Sequence, residues 1–281
     1  MSAFDITPLF LESPQGRIFV IHRTPQASDV HSGVVLVPPF AEEMNRSRRM
    51  LTLLAEALAD AGYHTVLPDF FGTGDSEGEF VEASWSGWLD QLACCVESLQ
   101  RDYGIERYSL VAVRAGALVA ADYLRRAVNM PERLVLWQPV IDGGAYLSQF
   151  LRLRLAADML SEEKNRETLS SMKQQLEAGQ TIEVAGYALT SAISDGLSSS
   201  SLKQIPPEHL PPTCWIDLVS SEGQVSPQAN RKLVDAFAEV GGKICYTVCT
   251  GLPFWNSVET VENSEIIAKT AIFLRGDGDV C

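Results

Sequence analysis

The chain has 281 residues, 46% of them apolar and 21% charged, which is typical of a folded protein with one sizeable core. Its net charge of −14, with no basic tract, argues against binding to nucleic acid or to anionic lipid. The start of the chain lacks the pattern of a signal peptide, and no apolar run of about 18 residues occurs. We therefore predict a cytoplasmic protein with no integral membrane segment.

Two short strands are predicted first, at residues 6–12 and 17–22, around a Pro-Gln-Gly turn signal. Further strands are predicted at 33–37, 64–67, 108–113, 134–137, 213–219 and 243–249. Helices are predicted between them at 46–61, 85–100, 115–127, 228–240 and 258–274. Strands that alternate with helices indicate an α/β protein with a mostly parallel sheet covered on both faces.

One long segment interrupts this alternation. It contains two helical patterns, at residues 146–159 and 162–177, and then a serine-rich stretch at 190–201. A segment of this length inside a compact domain is typical of a cap or lid. We therefore predict a core domain of residues 1–140 and 207–281, with a helical cap at 141–206.

Several short motifs suggest a family. The sequence DFFGTGDS at residues 69–76 resembles the D-x-x-G-x-G-x-S loop after the fourth strand of α/β hydrolases. The segments PPFAEEMNRSRR (38–49), RAGAL (114–118), WQPV (137–140) and QFLRLR (149–154) resemble the second type of exosortase-A-system-associated hydrolases. The resemblance implies an α/β-hydrolase fold, with an eight-stranded sheet and a cap after strand six. It also implies a role in a bacterial exopolysaccharide or exosortase-type system.

The residue at the nucleophile position is an arginine. α/β Hydrolases carry their serine in G-x-S-x-G, on a sharp turn between the fifth strand and its helix. This turn reads AVRAG here, with Arg114 in the serine position. A guanidinium is always protonated and has no lone pair to donate, so Arg114 cannot act as a nucleophile. A second G-x-S-x-G surrounds Ser76 but stands in a loop, and we interpret Ser76 as a turn residue.

The other two positions of a catalytic triad are also altered. Glu222 is the only acid in the loop after the strand that follows the cap. The loop after the last strand contains Phe254 and Trp255 in place of a histidine, and we predict that they close the pocket. Ordinary serine-esterase activity is therefore not expected, because the serine and its base work as a unit. The four histidines lie elsewhere, at His22, His31, His64 and His209.

Arg114 needs an anionic partner, because the N-terminus of a helix disfavours a cation and burial adds to the cost. Glu42 or Glu43, after the third strand, is expected to pair with it bidentately, and Asn45 and Arg48 to extend the network. The alternative partner is a ligand that carries a phosphate or carboxylate, since a guanidinium at a helix N-terminus attracts anions.

Two functions remain open at this point. One is a pseudo-hydrolase that binds an anionic small molecule or a protein of its pathway. The other is an active hydrolase, or an acyl- or glycosyl-ester transferase, with a non-standard acid/base site. No dinucleotide, P-loop or C-x-x-C pattern occurs, so no cofactor and no metal are predicted. The candidate catalytic positions are Arg114, Glu42, Glu43 and Glu222. The candidate ligand-binding residues are Phe40, Ala41, Asn45, Arg48, Arg114, Ala115, Phe254 and Trp255.

Overall fold

The computed structural model describes residues 3–26, 32–160, 167–221 and 227–276. Eight strands form the central sheet: β1 (Phe4–Leu11), β2 (Ile18–Pro25), β3 (Gly33–Val37), β4 (His64–Pro68), β5 (Tyr108–Val113), β6 (Leu134–Trp137), β9 (Thr213–Val219) and β10 (Ile244–Thr250). Their order is β1-β2-β4-β3-β5-β6-β9-β10. Strand β2 runs antiparallel to both neighbours, and the other neighbouring strands pair in parallel. The predicted eight-stranded, mostly parallel sheet is confirmed.

Helices cover both faces of this sheet. They are α1 (Glu42–Asp60), α2 (Trp85–Tyr103), α3 (Gly116–Leu124), α7 (Gln228–Glu239) and α8 (Ser264–Arg275). The buried strand β3 shows how the faces divide, because successive side chains of a strand point to opposite sides. Val35 and Val37 join the cluster formed with α2, α3 and α7. Val34 and Leu36 join the cluster formed with α1 and α8.

Among the helices that cover the sheet, two begin four or more residues from the predicted position. Helix α1 begins at Glu42 rather than at residue 46, so Glu42 and Glu43 lie in its first turn and not in a loop. Carboxylates there are favoured by the positive end of the helix dipole. Helix α8 begins at Ser264 rather than at residue 258, because the side chain of Asn263 caps it by accepting from the Ile266 amide at 3.1 Å.

The cap after β6 is mixed rather than purely helical. It contains α4 (Gly143–Leu160), α5 (Leu169–Glu177), a hairpin of β7 (Ile182–Val184) and β8 (Tyr187–Leu189), and α6 (Ser191–Ser199). The hairpin was not predicted. Its two-residue turn, Ala185-Gly186, has positive φ at both positions, as a type I′ turn requires. The start of the predicted helix at 162–177 lies outside the described residues, and the serine-rich stretch forms α6.

The fold brings the loops after β3, β5 and β6 to one edge of the sheet. Val37 pairs with Ala112, and Val113 pairs with Trp137, so these strands end side by side. In open α/β sheets, ligands bind at this carboxyl edge. Helix α4 of the cap packs over it, since its Phe150 contacts the ring of Phe40, at 5.3 Å between centroids. Within the described ranges, no helix has the length and apolarity to span a membrane.

Candidate functional site

The sharp turn between β5 and α3 keeps the backbone geometry that would expose a nucleophile. Arg114 lies in the left-handed region, with φ of 53°, and its amide donates to the Trp137 carbonyl at 3.0 Å. Gly116 is required because a Cβ there would lie 2.4 Å from the carbonyl oxygen of Pro38. A strained backbone of this kind is usually kept at functional sites. The turn therefore presents an arginine side chain at the carboxyl edge of the sheet.

Arg114 forms a bidentate ion pair with Glu43. Its Nε lies 3.2 Å from Oε2, and its Nη2 lies 3.1 Å from Oε1. Each side chain is only 17% exposed, so water screens the pair weakly. Glu42 turns away instead and pairs with Arg46 at 3.2 Å. Glu43, and not Glu42, therefore neutralises the guanidinium of Arg114.

Two further groups hold the guanidinium of Arg114. Its Nη1 donates to the Gln138 carbonyl at 3.2 Å, and its Cζ lies 4.9 Å from the ring centroid of Trp255. Gln138 has a positive φ of 41°, and its side-chain oxygen accepts from the Leu218 amide at 2.6 Å. The role of Gln138 was not predicted, because the motif that contains it gives no sign of such a contact.

The cap contributes Tyr146 to the same cluster. This buried hydroxyl hydrogen-bonds the Glu43 carboxylate. Burial raises the pKa of the Glu43 carboxyl above its ordinary value, while Arg114 and Tyr146 oppose the shift. Burial, together with the charge of Glu43, raises the pKa of Tyr146 well above its usual value, so Tyr146 stays protonated and donates. Glu43 is therefore held between one residue of the core and one of the cap.

A cavity of about 270 Å³ opens above this ion pair. Three of the predicted ligand-binding residues line it: Phe40, Arg114 and Trp255. Ala41 and Ala115 are buried nearby but do not line it. Sequence reasoning missed the contribution of helix α4 and of the residue after Trp255. The additional lining residues are Tyr146, Gln149, Phe150, Leu153 and Asn256, together with Glu42 and Glu43.

The predicted extension of the network through Asn45 and Arg48 is wrong. Asn45 Nδ2 lies 3.4 Å from the hydroxyl of Tyr187, and Arg48 Nη2 lies 2.8 Å from both carboxylate oxygens of Asp69. Helix geometry explains this result, because both residues project from α1 roughly 140–160° around its axis from Glu43. Arg48 instead braces the loop that follows β4.

The two aromatic residues at the expected histidine position have different roles. Phe254 is 1% exposed and packs edge-on against Trp137, at 6.0 Å between ring centroids, so it belongs to the core. Trp255 packs against Phe254 and lines the cavity beside Arg114. Only Trp255 therefore takes the pocket-closing position that was predicted for both.

No described side chain that lines the cavity is a serine, cysteine or histidine. Ser76 is the turn residue that was predicted, because its Oγ accepts from the Phe19 amide at 2.7 Å and donates to the Asp69 carbonyl. Glu222 and His31 lie outside the described residues. In the part of the chain that the structure describes, no group of three or more His, Cys, Asp or Glu residues is placed to hold a metal.

Comparison with known proteins agrees with this architecture. The family model described as serine aminopeptidase, S33, matches residues 28–199. No curated protein matches the chain in sequence. Est1E from Butyrivibrio proteoclasticus, solved with ferulic acid bound, is 13% identical, with a TM-score of 0.69 over 96% of this chain and 98% of that one. An esterase of Pyrococcus furiosus is 16% identical, with a TM-score of 0.63 over 97% and 91%. At these identities the likeness shows the fold alone.

Proposed function

The chain belongs to the serine aminopeptidase S33 family of α/β hydrolases, and from that premise we propose that it is a pseudo-hydrolase, which binds a ligand without serine-esterase chemistry. One observation carries the proposal: the nucleophile position holds Arg114, which is tied to Glu43. A guanidinium cannot attack an acyl carbon, and the described cavity wall offers no serine or cysteine nucleophile and no histidine to activate one.

We further propose that the ligand is an anionic small molecule that displaces Glu43 from Arg114. Displacement is easier when Glu43 takes up a proton, and burial already raises the pKa of this carboxyl. A protein of the same pathway is the other candidate partner. We propose a cytoplasmic role in a bacterial exopolysaccharide or exosortase-type system, which the resemblance of the segments at 38–49 and 114–118 supports.

The absence of serine-esterase chemistry is tested with a fluorophosphonate probe and a p-nitrophenyl ester. We expect no labelling and no turnover above background. The same result is expected for Arg114→Ser, because the restored serine would lack a histidine to take its proton. Labelling that disappears in Ser76→Ala would overturn the assignment of Ser76 as a turn residue and, with it, the proposal.

Binding of an anion is tested with sulfate, whose charge does not change near neutral pH. Glu43→Gln mimics the protonated carboxyl and should bind sulfate about tenfold more tightly than the natural chain. In the natural chain, affinity should rise as the pH is lowered, since a lower pH favours protonated Glu43. Glu262→Gln, which removes the same charge at an exposed residue outside the cavity, is the matched control and should leave affinity nearly unchanged. Equal affinities in all three proteins would contradict a ligand that reaches Arg114.

A second candidate is an active hydrolase, or an acyl- or glycosyl-ester transferase, with an acid/base site built from Glu42, Glu43, Glu222 and Arg114. The raised pKa of the Glu43 carboxyl beside the cavity favours it, because burial makes this carboxylate a stronger base than an exposed one. Turnover that survives Ser76→Ala but falls in Glu43→Gln would select this candidate over the binding protein.

A further inference from the structure

A second cavity, of about 650 Å³, lies between α7 and the connector that leads from the cap to β9. We call it the α7 groove and define it by Lys203, Ile205, Lys232, Leu233, Ala236 and Phe237. None of its lining residues is shared with the cavity above Arg114. Pockets for small ligands commonly enclose roughly 300–1,000 Å³, so the groove is large enough to hold one.

One face of α7 forms a wall of the groove. Lys232, Leu233, Ala236 and Val240 all line it, at the three- and four-residue spacing that places side chains on one face of a helix. Leu233 is buried, whereas Ala236 is exposed and its small side chain fills little of the groove. Val240, just past the end of α7, is 58% exposed. The result is an apolar channel that is open to solvent.

Two lysines stand at the edges of this channel, Lys203 on the connector and Lys232 on α7. Both are exposed, and neither forms an ion pair with any residue that the structure describes. The chain carries 36 acidic against 22 basic residues, so these two lysines give the channel a local positive charge on an acidic protein. Asp142 also lines the groove, but its carboxylate caps α4 by accepting from the Ala145 amide at 2.7 Å.

We propose that the α7 groove binds a free fatty acid. Its alkyl chain lies along Ile205, Leu233 and Phe237, and its carboxylate lies between Lys203 and Lys232. The apolar walls match the alkyl chain of the fatty acid, and the two lysines match its carboxylate. A neutral or cationic ligand would leave the two lysines without an anionic partner. This site is independent of the proposed function of the cavity above Arg114.

The test is calorimetric titration of the full chain with sodium decanoate below its micellar concentration. Because each buried methylene raises affinity about fourfold, octanoate, which is two methylenes shorter, should bind roughly sixteenfold more weakly. Decanol lacks the charge and should also bind about tenfold more weakly, and acetate, which lacks the chain, should not bind. No decanoate binding, or equal affinity for decanoate and octanoate, would overturn the proposal.

Variants locate the site. Lys232→Glu should weaken decanoate binding at least tenfold, whereas Lys243→Glu, the same charge change at an exposed lysine outside the groove, should not. Ala236→Phe fills the channel and should abolish binding, with far-UV circular dichroism verifying that the variant is folded. Leu153→Trp obstructs the other cavity and should have no effect. Loss of binding in Leu153→Trp but not in Ala236→Phe would place the fatty acid above Arg114 and overturn the proposal.

Discussion

The guanidinium of Arg114 is held in place by an opposite charge. It lies at the start of α3, where the helix dipole opposes a cation, and Glu43 supplies the compensating charge. Burying both charges is costly, so the intact pair need not stabilise the fold by much. Removing one partner is different, because the other charge is then left buried without compensation.

This asymmetry gives a prediction at the residue scale. Glu43→Gln should lower the free energy of unfolding by about 2–3 kcal/mol. Glu42→Gln, which breaks an exposed pair with Arg46, should lower it by less than about 0.5 kcal/mol. Urea unfolding followed by circular dichroism measures both values. Equal losses of unfolding free energy in the two variants would show that the buried pair matters no more for stability than the exposed pair.

At the scale of elements, β2 and β4 bury a pair of imidazoles beneath α2. His64 Nδ1 lies 3.1 Å from His22 Nε2, and the ring of Tyr103 packs against His22 at 3.9 Å between centroids. Burial, reinforced by His64, lowers the pKa of His22 to about 4. Burial also lowers the pKa of His64. This pair is therefore a neutral part of the core and lies within the predicted strands at residues 17–22 and 64–67.

The imidazole pair makes stability depend on pH. The unfolded chain protonates His22 below a pKa of about 6.5, whereas the folded chain resists protonation down to about pH 4. Stability is therefore full above pH 6.5 and is lost as pH falls through this window, by on the order of 3 kcal/mol. Urea unfolding should show that His22→Gln loses less of its free energy of unfolding between pH 7 and pH 5 than the natural chain does. His209→Gln is the control, and its free energy of unfolding should fall between pH 7 and pH 5 by as much as that of the natural chain.

At the scale of the whole molecule, the core and the cap share one hydrophobic cluster. Phe40 of the core is central to this contact, since its ring lies 5.8 Å from that of Trp88 and 5.3 Å from that of Phe150 in the cap. The same cluster includes Met172 and Leu197 of the cap. We propose that residues 141–206 form a structural insertion that does not fold independently of the core.

Shared burial predicts that the core and the cap unfold together. All five tryptophans lie outside residues 141–206, so their fluorescence reports on the core, whereas far-UV circular dichroism reports on both parts. The two urea transitions should coincide, as a two-state transition requires. Phe40→Ala should move both transitions to lower urea together and lower the free energy of unfolding by about 3–5 kcal/mol. Separate midpoints would show that the cap is an autonomous unit.

The sequence by itself determined the sheet, the insertion after β6 and the presence of an arginine at position 114. These features follow from local periodicity and from the chemistry of single side chains, which need no partner to be recognised. Only the tertiary structure decided that Glu43 rather than Glu42 meets Arg114, that Tyr146 reaches Glu43 from the cap, and that Arg48 turns to Asp69. Such contacts depend on the rotation of α1 and on the packing of segments about 100 residues apart, and neither can be inferred from local pattern.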